Sequence, residues 1–126
     1  MNMILAVALG GALGAVARYK TAGWTVAMVG HGFPWGTLAV NVIGSFAMGV
    51  LIELGALKLT LSAEMRAFLA TGFLGAFTTF STFSLDVATL WERGALMPAG
   101  LYIAVSVALS ILALFAGLAV VRGVFA

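Results

Sequence analysis

Apolar residues fill this chain in four long stretches, and charged residues stand only between or at the edges of them. None occurs before Arg18, between Lys20 and Glu53, between Arg66 and Asp86, or between Arg93 and Arg122. A hydrocarbon layer about 30 Å thick is crossed by about 20 consecutive apolar residues in helical form. The pattern therefore predicts four spans, near residues 2–17, 36–52, 64–91 and 98–121, in one all-α membrane domain covering 1–126. The first stretch has no Lys or Arg before its apolar run and resembles the later ones in hydrophobicity, so it is read as a span and not as a cleavable leader.

The third stretch is too long. Its 28 residues, 64–91, would extend about 42 Å as a continuous helix at 1.5 Å per residue. A break near its middle is expected. Gly72 and Gly75, followed by Thr78 and Thr79, form the weak point, because glycine disfavours helix and threonine hydroxyls compete for backbone carbonyls. Unwinding there would leave carbonyl oxygens unpaired, which suits a hard cation such as sodium if two antiparallel copies met at that point. A packed glycine-rich kink is the simpler alternative.

Polar side chains recur within the spans at helical spacing. Thr37, Asn41 and Ser45 lie on one face of the second span, and Tyr102, Ser106 and Ser110 on one face of the fourth. Such groups serve equally as interhelical hydrogen-bonding partners or as ligands for something polar. After the expected break come Phe80 and Phe83, three residues apart and interleaved with Ser81, Thr82 and Ser84. Phenylalanine rings usually pack, but their positive edges can also solvate a small anion, with hydroxyl donors at the same depth.

Gly10 and Gly14 make a small-xxx-small face, best read as packing within the bundle. Trp24 and Trp35 read as interfacial anchors around a loop containing His31, Gly32 and Pro34, with Pro34 just before the second helix. Glu53, Glu64 and Glu92 read as span-end residues at the water interface, and Asp86 and His31 receive no role.

Composition narrows the function classes. The chain is 63% apolar with a mean hydropathy of +1.20. A net charge of +2 is too small for nucleic-acid binding, and there are no cysteines for disulfides or thiolate metal sites. One loop histidine and four scattered carboxylates make no catalytic set. Lys58, Arg66 and Arg122 share one side of the four predicted spans, while Arg18, Lys20 and Arg93 share the other. Because Lys and Arg near span ends set orientation, three against three predicts insertion both ways and antiparallel pairing. The alternative is that Arg18 and Arg66 lie inside the protein and do not count.

The chain resembles the Fluc-type (CrcB) fluoride channels through all four spans. The motifs are Gly10 to Ala15 with Arg18, Trp35 to Asn41 with Gly44, Gly72 to Gly75, and Thr78 to Ser84. The resemblance implies a passive, selective fluoride channel in the bacterial cytoplasmic (inner) membrane. It also implies a dual-topology antiparallel homodimer with two pores and a central structural sodium ion. On matching positions, Gly75 and Thr78 would supply carbonyls to that ion, Phe80 and Phe83 would be the pore phenylalanines, and Asn41 a polar pore ligand. Thr37, Ser81, Thr82, Ser84, Tyr102, Ser106 and Ser110 would contribute hydroxyls, and Arg18 positive potential in a vestibule. The rival from another class is a small proton-coupled multidrug exporter. It requires a carboxylate in the first span, whereas the first acidic residue here is Glu53.

Overall fold

The computed structural model describes residues 2–126, which fold into helices alone: α1 (Met3–Val29), α2 (Trp35–Leu57), α3 (residues 63–77), α4 (Phe80–Glu92) and α5 (Leu96–Phe125). α3 and α4 are the two halves of one span, Ala63–Glu92, so four helical units are long and apolar enough to cross a bilayer. The chain is a multi-pass integral membrane protein.

The spans outrun their predicted ends, α1 most of all. It continues past residue 17 to Val29 and carries Arg18, Lys20 and Trp24 within the helix. No helix terminator precedes Gly30, whose φ of 91° is the left-handed conformation that glycine tolerates. The loop is thereby reduced to residues 30–34, and Pro34 caps α2. Arg18 is half-buried there and turned inward to the Ala76 carbonyl, so it leaves the loop-charge tally, whereas Lys20 on the same helix is exposed and stays in it.

Glycines set how closely the helices approach. A Cβ on Gly10 would overlap the carbonyl oxygen of Phe68, and one on Gly14 that of Phe73. From the other side, a Cβ on Gly72 would come within 2.9 Å of the Val7 carbonyl oxygen. Gly10, Gly14 and Arg18, spaced four apart, form one face of α1 turned toward the third span. α2 and α5 meet the same way, Gly49 against the Leu114 carbonyl and Gly117 against that of Phe46. Close backbone approach is the main source of helix association in lipid, where apolar burial gives little advantage.

The expected weak point, Gly72 and Gly75 followed by Thr78 and Thr79, opens at its threonines and not at its glycines. Gly72 lies in a π-helical stretch, Ala67–Leu74, and Gly75 is helical at φ −61°, ψ −36°. Both glycines admit neighbouring backbone or continue the helix, and neither unwinds. Glu53 lies near the end of α2, as expected, but faces inward. It is 8% exposed and accepts from Arg122 Nε at 3.1 Å, joining the ends of α2 and α5. Inside, Leu38, Phe83, Leu90, Ala99 and Tyr102 form a buried cluster with Phe33 and Val87 against it. Side chains such as Ile4 and Met28 point outward, as lipid contact requires.

Candidate functional site

The third span opens at two residues. Thr78 (φ −91°, ψ 160°) and Thr79 (φ −154°, ψ 120°) are extended, between the helical Phe77 and Phe80. Hydrogen bonding accounts for the break. Thr78 donates both its N–H and its Oγ1 to the Leu74 carbonyl, at 3.1 and 2.9 Å. The next N–H, of Thr79, would close a continuing helix onto Gly75. It donates instead to Asn41 Oδ1 at 2.7 Å, and Asn41 Nδ2 donates back to the Thr79 carbonyl at 3.1 Å. Thr79 Oγ1 then accepts from the Thr82 N–H at 3.1 Å and caps α4.

Two further residues hold the break in place. Gly44 leaves room for it, since a Cβ there would overlap Thr78 Cγ2 and press on the Phe77 ring. Arg18 donates from Nε to the Ala76 carbonyl at 2.9 Å. A charged side chain at mid-bilayer costs roughly 2.5–3.5 kcal/mol on insertion scales. A charge-assisted hydrogen bond at the negative end of a half-helix offsets part of that.

The donors that a continuous helix would send to Gly75 and Thr78 are those of Thr79 and Thr82, and both are diverted to side chains. The two carbonyls are thus suited to a hard cation, which prefers neutral or anionic oxygen ligands.

Beside the break lies a cavity of about 330 Å³. Its polar lining is Asn41, Ser45, Thr78, Thr79, Ser106 and Ser110, and Phe80 and Phe83 supply rings. None of these side chains is ionisable at neutral pH. Asn41 spends one N–H and its oxygen on Thr79, so a second N–H remains. Ser106 Oγ is buried without a hydrogen-bond partner, and a buried hydroxyl left so costs about 1–3 kcal/mol.

The Phe80 and Phe83 ring centroids are 5.4 Å apart and tilted by 49°. Phe83 is 9% exposed, whereas Phe80 is 77% exposed on the single chain. The row of rings continues from Phe83 to Tyr102 at 5.1 Å and from Tyr102 to Phe33 at 5.3 Å. Tyr102 is fully buried and donates its hydroxyl to Asp86 Oδ2 at 2.9 Å. Thr37 lies near the same hydroxyl.

The structure therefore brings Asn41, Thr78, Phe80, Phe83, Ser106 and Ser110 to one cavity. Tyr102 is the buried middle of the ring row, between Phe83 and Phe33, with Thr37 near it. Ser81, Thr82 and Ser84 do not line the cavity: Ser84 Oγ donates to the Phe80 carbonyl at 3.0 Å, and Ser81 Oγ pairs with Thr79 Oγ1 at 3.3 Å. Arg18 meets the break from α1. Ser45, read in the sequence as part of the polar face of α2, also lines the cavity; the residue given no role in sequence is Asp86, three residues after Phe83 on the same side of α4.

These features define a four-span membrane protein with a broken third helix and an uncharged polar cavity beside the break. A profile described as CrcB-like protein, Camphor Resistance (CrcB), matches residues 5–118. A protein of Agrobacterium fabrum named fluoride-specific ion channel FluC is 56% identical over 125 residues, 99% of this chain and 100% of that protein. Proteins of the same name are similar in Rhodospirillum centenum, 59% over 122 residues and 97% of each chain, and in Rhizobium etli, 55% over 122 residues, 97% of this chain and 98% of that one. The chain belongs to the CrcB family.

Proposed function

We propose that the chain is a passive, fluoride-selective channel through which cytoplasmic fluoride leaves the cell. The observation that carries this reading is the near full-length similarity to proteins named fluoride-specific ion channels. The cavity chemistry supports it. Fluoride must shed a tightly held hydration shell, and the edges of Phe80 and Phe83, the free amide N–H of Asn41 and the Ser106 hydroxyl can replace it without a fixed positive charge that would trap the ion. Ser110 extends the hydroxyl series along α5. Asp86 holds Tyr102 in the buried part of the ring row with Thr37 nearby, and Ser81, Thr82 and Ser84 lie along the route outside the cavity.

The driving force needs no nucleotide. Hydrogen fluoride enters as a neutral acid and dissociates in the less acidic cytoplasm. An inside-negative potential favours anion exit by about 2.3 kcal/mol per 100 mV. The membrane is accordingly the bacterial cytoplasmic membrane. Vesicles reconstituted with the protein are expected to release fluoride and retain chloride; equal retention of both would overturn the function.

The working unit is an antiparallel homodimer with two pores. With Arg18 turned inward, the exposed Lys58, Arg66 and Arg122 face the exposed Lys20 and Arg93, a tally still close to even. The outward exposure of Phe80 supports a second copy completing the cavity wall. The carbonyls of Gly75 and Thr78 would hold a sodium ion between the copies, supplying fixed positive charge that joins the two breaks. A topology reporter fused after Ala126 is expected to register on both sides of the membrane. A single orientation would contradict dual insertion.

A further inference from the structure

Among the described residues, Arg18 is the charged side chain that bonds to the break, and the proposed pathway does not use it there. It is half-buried, and among the described residues the recorded ion pair is Glu53 with Arg122, not with Arg18. Its contact is a backbone one, Nε to the Ala76 carbonyl at 2.9 Å. Ala76 stands in the last turn of α3, where carbonyls lose their helical donors. The donor four residues on is Phe80, which already begins α4 beyond the extended Thr78 and Thr79. Asn41 does the corresponding work one step later, taking both the N–H and the carbonyl of Thr79.

We infer that Arg18 is a positioning residue, a C-terminal cap for α3 supplied from α1, which together with Asn41 splints the break and so fixes where α4 and its Phe80–Phe83 pair begin. The two side chains divide the backbone groups of the break between them. Ala76 and Thr79 are taken, and the carbonyls of Gly75 and Thr78 are left. The glycine face places the cap, because Gly10, Gly14 and Arg18 meet successive carbonyls of the third span, those of Phe68, Phe73 and Ala76. This role differs from a vestibule charge. A cap needs an N–H at the right reach, whereas a vestibule needs only the positive charge.

Three variants separate the two roles. Arg18→Gln keeps an N–H donor at the same number of bonds from Cα as Nε and removes the charge. Arg18→Lys keeps the charge but moves the donor one bond outward and loses the planar group. Arg18→Met has neither. Amide hydrogen exchange across residues 76–82 in lipid reads the splint, and fluoride efflux from vesicles reads its consequence. Exchange is expected to rise at least tenfold in Arg18→Met, equivalent to about 1.4 kcal/mol. Arg18→Gln should stay within about threefold of the parent and closer to it than Arg18→Lys, in exchange and in efflux. The inference is overturned if Arg18→Met leaves exchange at the parent level. It is equally overturned if Arg18→Lys matches the parent while Arg18→Gln behaves like Arg18→Met. The activity arm rests on the channel reading, but the exchange arm decides the capping role even if vesicles pass no fluoride. If Arg18→Met fails to fold, the comparison of Gln with Lys decides it alone.

Discussion

Substituting isoleucine for Phe83 should abolish fluoride efflux from vesicles while the protein still assembles. The ring is buried among Leu38, Leu90 and Tyr102, so a slightly smaller aliphatic group preserves most of the apolar contact at a cost of roughly 1–2 kcal/mol. What isoleucine cannot reproduce is the positive ring edge, together with the geometry that sets Phe83 5.4 Å from Phe80 and 5.1 Å from Tyr102. Phe80→Ile should block efflux as well, with less effect on stability because Phe80 is exposed on the single chain. The two variants are compared with the parent by efflux and by elution position in detergent. Full efflux from both would remove the rings from the mechanism.

Gly14→Val should be the most damaging single change to the fold. Its side chain would run into the Phe73 carbonyl, a backbone atom that cannot swing aside as a side chain can. α1 and α3 would separate, and Arg18, one turn further along the same face, would lose its reach to Ala76. Overpacking typically costs about 1–3 kcal/mol, and the upper end is expected here because two backbones are forced apart. Gly100→Ala is the control, since nothing lies within 4 Å of a Cβ at that position. Thermal unfolding in detergent should show a large drop for Gly14→Val and little change for Gly100→Ala. Equal transitions would mean that the α1–α3 contact is less close than described.

The same glycines show how far residue order can be read without a structure. Charge-free gaps placed all four spans, because lipid thickness constrains length directly. Span ends were less legible: Arg18 looks like a boundary until its partner, 58 residues away, is known. Glycine in a helix reads equally as weak propensity or as a site of close approach. At Gly72 the second is true, and the interruption belongs to the two threonines. Asn41 was visible as a polar residue on a helical face, but its grip on both polar groups of Thr79 depends on a neighbour in another helix. Glu53 and Asp86 were obscure for the same reason, their partners Arg122 and Tyr102 lying 69 and 16 residues away. Ser106 and Ser110 were legible because a four-residue period survives folding.

Fluoride-selective electrode recordings from vesicles holding the purified parent protein test the central claim most directly, with a chloride-loaded set measured in parallel. Once an ionophore dissipates the opposing potential, rapid release of fluoride beside retained chloride is the predicted result. Fluoride held as tightly as in protein-free vesicles, or chloride released equally fast, would contradict it.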